Sequence, residues 1–300
     1  MCELLAISAR YPTTIRLSIA ELARHGGDTG PHRDGWGVGF VQDRDALVIR
    51  EPTAAATTRW LPCIDDTRAD AVIAHIRRAT QGERMLRNTQ PFARELGGHI
   101  HLFAHNGMLP GIERDDRLAT RRFRRVGDTD SEQAFCALLE RIAPHWDAGV
   151  PPLELRLALV AEIAAELRAL GPANFLYSDG DAIFAHAHRR RHDDGTIRPP
   201  GLHVLCRSCS AHADGVGIPG IELPPTAQQE VALLASVPLT GEGWQALAEG
   251  EVVVLQRGRI VSRLAPAPHA GRDSTRSAST YDTIPTSLPS RSTTGTAPIR

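Results

Sequence analysis

The chain has 300 residues, enough for one large domain or two small ones, with 42% hydrophobic and 23% charged content that is ordinary for a soluble globular protein. A net charge of −1 gives no electrostatic case for nucleic acid or an anionic membrane surface, and no apolar run is long enough to span a bilayer. All 34 basic residues are Arg, which excludes a Lys Schiff base, pyridoxal chemistry through Lys and a Walker-type phosphate loop.

The start MCELLAISARYP lacks a basic opening and a long apolar stretch, so it does not read as a signal peptide. The five cysteines (Cys2, Cys63, Cys136, Cys206 and Cys209) are odd in number and thinly spread, which fits a reducing cytoplasm better than a disulfide framework. Residues 3–8 read as a short buried strand. Apolar residues at 15, 17, 19, 22 and 23 predict a helix over 14–24, closed by His25-Gly26-Gly27. Residues 35–42 and 45–50 read as a strand pair turning at Asp43-Arg44. Residues 71–76 and 99–105 are predicted strands, each followed at once by polar chemistry. Thr129 and Glu132 have capping-box spacing ahead of a helix over 129–143, and a longer helix covers 153–170. Short strands follow near 174–178, 182–187, 202–206, 231–237, 251–256 and 259–264. This order predicts an α+β domain whose helices cover sheet faces. From Pro266 the chain turns rich in Ser, Thr, Pro and Arg, and such a segment buries too little apolar surface to offset its ordering entropy. The expected organisation is a folded domain over 2–264 and a disordered tail over 265–300.

Cys2 follows Met1 directly. Methionine aminopeptidases remove Met before a small residue, so the mature chain is expected to begin with Cys2. One residue then carries a thiol and a free α-amine whose reference pKa is about 7.7–8.0, so nucleophile and base arrive together. Three further clusters fit amide cleavage. Asn106 can offer a side-chain N–H and Gly107 a backbone N–H to a developing oxyanion, where one lost donor costs about 2.7–4 kcal/mol. Arg77, at a strand end, carries a planar fork suited to a carboxylate. Asp130, at a helix start, can receive an ammonium group. One cation and one anion in a single pocket suit an amino-acid head group. Taken singly, Asn106-Gly107 also fits a turn, Arg77 a solvated charge, Asp130 a helix cap and Trp36 a core residue.

The stretches MCELL, H-x-D-G-W-G, HIRRAT, NTQPF, AHNG and TDSE, in this order, resemble the class-II glutamine amidotransferases of the N-terminal nucleophile hydrolases, and within them the small stand-alone bacterial YafJ-like type. The resemblance covers residues 2 to about 264. It implies a four-layer αββα sandwich of antiparallel sheets, Cys2 as the nucleophile acylated by the γ-carboxamide of glutamine, and its α-amine as base. It also implies Asn106 and Gly107 as the oxyanion hole. Arg77 then pairs with the glutamine α-carboxylate, Thr80 closes the same loop, and Asp130 holds the α-ammonium. Some members have His where this chain has Gln90, which can only orient or hydrogen-bond.

The activity expected is glutamine hydrolysis to glutamate and ammonia. The ammonia would pass to an unidentified acceptor or a separate synthetase partner protein. The alternatives are cleavage of a small γ-glutamyl metabolite and, in another class, a non-catalytic glutamine-binding subunit. No cofactor, metal, nucleic acid or membrane partner is expected. Two minor candidates are Cys206-x-x-Cys209 with His203 and His212, at zinc-like spacing, and the group His186, His188, His192, Asp193 and Asp194, read as an exposed loop. Cys136 falls on the apolar face of its helix. Deleting residues 266–300 is expected to leave the melting temperature nearly unchanged in a scanning calorimeter; a drop of many degrees would show that the tail is packed.

Overall fold

The computed structural model describes residues 1–209 and 228–266, and its layering follows from alternation along the first strand. In β1 (Glu3–Thr13), Leu4 and Ala6 point to one side and Leu5, Ile7 and Ala9 to the other, and all five are buried. A strand buried on both faces needs a layer on each side.

The elements run α1 (Arg16–His25), β2 (Trp36–Gln42), β3 (Asp45–Glu51), α2 (Leu61–Asp66), β4 (Ala69–Ile76), β5 (Phe92–Leu96), β6 (His99–Gly107), α3 (Asp130–Trp146) and α4 (Leu153–Leu170). There follow β7 (Ala173–Ser178), β8 (Ile183–His186), β9 (Arg190–Arg191), β10 (Ile197–Arg198), β11 (His203–Cys209), β12 (Gln229–Ala235), β13 (Gln245–Ala246), β14 (Val252–Gln256) and β15 (Arg259–Leu264). One sheet has the order β13-β11-β12-β1-β4-β2-β3 and the other β15-β14-β8-β7-β6-β5, with every pair antiparallel. β9 and β10 form a small separate hairpin.

Three apolar layers separate four structural ones. Ile15 just before α1, Ile19 and Leu22 of α1 and Ile64 of α2 pack on Leu5, Ile7, Phe40 and Val72 of the first sheet. Leu4, Ala6 and Ile73 face Leu102, Ala104, Leu176 and Val253 between the sheets. Phe103, Phe175 and Phe184 meet Phe135 and Leu138 of α3 and Val160 and Ile163 of α4 on the far side. The result is the four-layer αββα sandwich that the family resemblance implies.

The helix over 153–170 and the strand over 259–264 form as predicted. Three differences have local causes. β1 continues to Thr13 through Pro12, where its ladder with β4 breaks register and Gln229 substitutes by bonding both backbone groups of Tyr11 at 3.1 and 2.9 Å. α2 escapes periodicity because it is six residues long. α3 has half a capping box: the Glu132 N–H donates to Thr129 Oγ1 at 3.2 Å, but the Glu132 carboxylate accepts from the N–H groups of Val126 and Gly127 and from Arg94. The predicted tail lies outside the described residues.

The stretch GWGVGF is a packing device. Trp36, Val38 and Phe40 point to the helical layer, while Gly37 and Gly39 face the second sheet at closest approach. A Cβ at 37 would stand 2.3 Å from the Gln90 carbonyl oxygen, and one at 39 would stand 2.6 Å from Leu102. Gly37→Ala is therefore expected to lower stability by about 1–3 kcal/mol in urea unfolding without changing the denaturant slope; wild-type stability would show that the sheets can part at no cost.

Candidate active site

The alternation that builds the core also aims the chemistry. Leu4 and Ala6 face the inter-sheet space, so one more step back directs Cys2 to the same end. The same parity carries β4 from Ile73 through His75 to Arg77, β6 from Leu102 and Ala104 to Asn106, and β12 from Ala232 and Leu234 to Ser236. Ser236 ties three strands together. Its Oγ accepts the Leu4 N–H at 3.1 Å and Asn106 Nδ2–H at 3.4 Å, and its N–H donates to Leu4 O at 3.0 Å. Asn106 Oδ1 is buried without a partner.

Cys2 is partly exposed, and its Sγ lies 3.4 Å from the Arg78 N–H and 3.5 Å from the Arg78 carbonyl. Burial pushes the thiol up, the Arg78 N–H and the positive charges of the terminal amine and Arg77 pull it back, and Asp130 raises it. Burial also pushes the Met1 amine below its usual value. The peptide just before Cys2 is held by two histidines and an acid. His32 Nε2 lies 2.7 Å from the Met1 carbonyl and its Nδ1 lies 3.2 Å from the His25 carbonyl, while His25 Nδ1 pairs with Glu3 at 2.8 Å. The hydrogen bond to Glu3 raises His25.

Arg77 is buried, and its fork is occupied. It donates to the carbonyls of Asp34 at 3.4 Å, Glu83 at 3.0 Å, Gln81 at 2.8 Å and Gly82 at 3.0 Å. It clamps the loop that carries Thr80, which is exposed. Asp34 braces the same loop by accepting the Ala79 N–H at 2.8 Å, and Asn88 joins it to the 126–130 segment through Glu83 O and the Asp128 N–H. Asp130 Oδ2 accepts the Leu109 N–H at 2.8 Å, and Oδ1 accepts both the Ser131 N–H at 2.8 Å and the Ser131 hydroxyl at 3.4 Å, which leaves a free lone pair on Oδ2. Gly107 has no alternative, since a Cβ there would lie 1.8 Å from Pro172 O. Gln90 accepts the buried His105 N–H at 2.6 Å.

A cleft of about 750 Å³ opens beside the thiol. Cys2, Arg78 and Asn106 line one part of it, Glu3, His25 and His32 another, and the segment Arg190–Asp193 a third. Arg77, Thr80, Gly107 and Asp130 are not among its walls, so the predicted set divides into a cleft pair, Cys2 and Asn106, and four residues that do not line the cleft. Charge still couples the two, because Arg77 and Asp130 both act on the Cys2 thiol.

The profile of the family described as "Glutamine amidotransferases class-II" matches residues 1–280. The chain belongs to the class-II glutamine amidotransferases. It is 36% identical over 254 residues to the Escherichia coli K12 protein YafJ, a glutamine amidotransferase by name, covering 84% of this chain and 96% of that one. A Haemophilus influenzae relative with a similar name is 30% identical over 280 residues, covering 91% and 90% of the two chains. The crystal structure of a predicted glutamine amidotransferase from Pseudomonas aeruginosa PA01 superposes with a TM-score of 0.60 at 29% identity, over 87% of this chain and all of that one. A glutamine phosphoribosylpyrophosphate amidotransferase from B. subtilis shares the fold with a TM-score of 0.56 at 14% identity, over 89% of this chain and 49% of that one.

As a class-II glutamine amidotransferase the chain has support residues that its motifs quoted without explaining. His32 and Asp34 of H-x-D-G-W-G hold the Met1 carbonyl and the Ala79 N–H. Nothing in spacing alone marked Glu3, Ser236 or the β9–β10 hairpin. One expectation is corrected: His186 and His188 are buried, because His186 bonds the Ala173 carbonyl at 2.6 Å and His188 the Ala173 N–H at 3.3 Å, and only the 192–194 end is an outer loop. Cys206 is exposed on β11, while the Cys209 side chain and His212 lie outside the described residues. Among the described residues no group of three or more His, Cys, Asp or Glu could hold a metal ion, and no helix is long and apolar enough to cross a membrane. Cys136 is buried in the α3 core.

Burial holds His75 and His186 neutral, with values lowered to about 3, and His101 to about 4. Each takes a proton on unfolding below its ordinary value near 6.5, so stability is intact above that pH and falls as the pH drops toward the folded values. At about pH 5 the cost is about 2 kcal/mol per histidine. Melting temperature is expected to fall by several degrees or more from about pH 7.5 to about pH 5; a flat profile would show that these rings titrate normally.

Proposed function

We propose that this class-II glutamine amidotransferase hydrolyses the γ-carboxamide of glutamine through a thioester on Cys2, once Met1 has been removed. The observation that carries the reading is the seat of the Cys2 sulfur: within reach of the Arg78 N–H, and on the same cleft as Asn106.

The freed α-amine takes the thiol proton, directly or through one water, and sulfur attacks the γ-carbonyl carbon. Negative charge grows on the carbonyl oxygen, where Asn106 Nδ2–H and the Gly107 N–H are the donors. The Asn106 amide can turn, because its bond to Ser236 is long and its oxygen is unpartnered. The C–N bond then breaks, the ammonium returns its proton to the leaving nitrogen, and ammonia departs. Water, deprotonated by the same amine, cleaves the thioester and releases glutamate. Arg77 receives the α-carboxylate by exchanging loop carbonyls for it, Thr80 moves with that loop, and Asp130 takes the α-ammonium on the free lone pair of Oδ2. The ammonia goes to water or to a synthetase partner.

A second reading has its own support. Ammonia needs little space, and a cleft of about 750 Å³ beside the sulfur has room for a larger amine. The same steps then cleave a γ-glutamyl amide of a small metabolite.

The test is intact mass together with glutamate release. A chain lacking Met1 is expected to release glutamate from glutamine or from a γ-glutamyl amide, and Cys2→Ala to lose at least a thousandfold in kcat while keeping the wild-type melting temperature. Substantial turnover by Cys2→Ala would remove Cys2 from the mechanism.

A further inference from the structure

We infer that the cleft beside Cys2 contains an anion subsite, formed by Arg190 and Arg191, that selects γ-glutamyl substrates whose leaving amine carries a carboxylate, that is, γ-glutamyl-amino acids. The inference rests on the Cys2 reading above and names the substrate class of that site.

The position of the cleft is the first argument. Arg77 and Asp130, assigned to the glutamyl head group, do not line it, whereas Cys2 and Asn106, assigned to the reacting carbonyl, do. The open volume therefore lies on the amine side of the scissile bond.

The state of Arg190 is the second. Two neighbouring arginines have acidic partners: Arg189, before it in the chain, bonds Glu249 at 2.5 Å, and Arg198, opposite it across the hairpin, lies 3.4 Å from Asp194. Arg190 has none within ion-pair distance among the described residues. Its Nε is buried without a partner and its Nη1 reaches only the Arg191 carbonyl at 3.3 Å. Asp193 and Glu3 act on it from a distance, Arg198 opposes them, and burial is the largest influence, pushing the guanidinium down. Glu3 is itself engaged by His25. A half-buried guanidinium with unused donors, facing a cleft, fits a carboxylate ligand.

Length is the third argument. Met1 spans the gap, since its chain continues into Cys2 while its Sδ accepts the Arg191 N–H at 2.8 Å. Removing Met1 leaves a space one amino-acid residue long between the nucleophile and β9. A leaving amino acid fits it, with its nitrogen at Cys2 and its carboxylate at Arg190 and Arg191. The chemistry balances as before: sulfur bonds to the γ-carbon, the C–N bond breaks, the Cys2 ammonium protonates the leaving nitrogen, and an amino acid departs in place of ammonia.

The experiment compares γ-glutamylglycine with γ-glutamylmethylamide, which lacks only the carboxylate, on the Met1-free protein. Wild type is expected to favour γ-glutamylglycine at least tenfold in kcat/KM; Arg190→Gln should bring the ratio near unity, and Arg190→Lys should retain most of it. Calorimetric titration of both ligands into Cys2→Ala reads the subsite without chemistry and should show the same Arg190-dependent preference. Equal handling of the two by wild type, or a preference that survives in Arg190→Gln and Arg191→Gln, overturns the subsite. Should wild type turn over neither ligand while Cys2→Ala binds them with the Arg190-dependent preference, the Cys2 reading fails and the subsite stands.

Discussion

A strand buried on both faces is the constraint on which the rest of this molecule depends. β1 is bonded to β4 on one side and to β12 on the other, with apolar layers above and below. Such a strand belongs to the part of a domain that opens last. Cys2 stands at its end, so the sulfur is mounted on the stiffest element available. Asn106 rides on a strand of the opposite sheet, and Ser236 bonds it back to Leu4. The spacing between thiol and amide is thus set by how closely two sheets pack, which is why glycines stand where the sheets meet.

Electrostatics at the site work toward neutrality. Burial raises the thiol and lowers the terminal amine, so both resist charge. Arg77 and Asp130 influence the sulfur in opposite senses. The arginine is meanwhile held by four backbone carbonyls, so the loop over 79–83 depends on the same guanidinium that is assigned to the substrate.

The parts of the fold written in local periodicity were legible in the sequence. α3 and α4 announce themselves by spacing and a cap, and the apolar strands by composition. Cys2, Asn106 and Gly107 stand out in the sequence because amide cleavage needs those chemical types at strand ends, and the structure sets Cys2 and Asn106 on one cleft. What local pattern does not carry is the destination of a side chain's hydrogen bonds. His32 looks like any motif histidine until its ring is found against Met1. Arg77 looks like a free fork until its loop folds back over it. His186 and His188 sit in a polar stretch, yet β7 and β8 bury them. Two-residue strands such as β9 and β10 have no period to read, although β9 and the turn after it form a wall of the cleft.

Strand order also bears on when the amino terminus is accessible. The partner on one side of β1 is β12, where Leu5 pairs with Ala235. A ribosome must therefore make most of the chain before the first strand can be enclosed on both edges. Until then Met1 hangs from an incomplete sheet. Afterwards it lies in the cleft, against His32 and the Arg191 N–H. An aminopeptidase acting on the nascent chain would meet this terminus before the strand that carries it is enclosed.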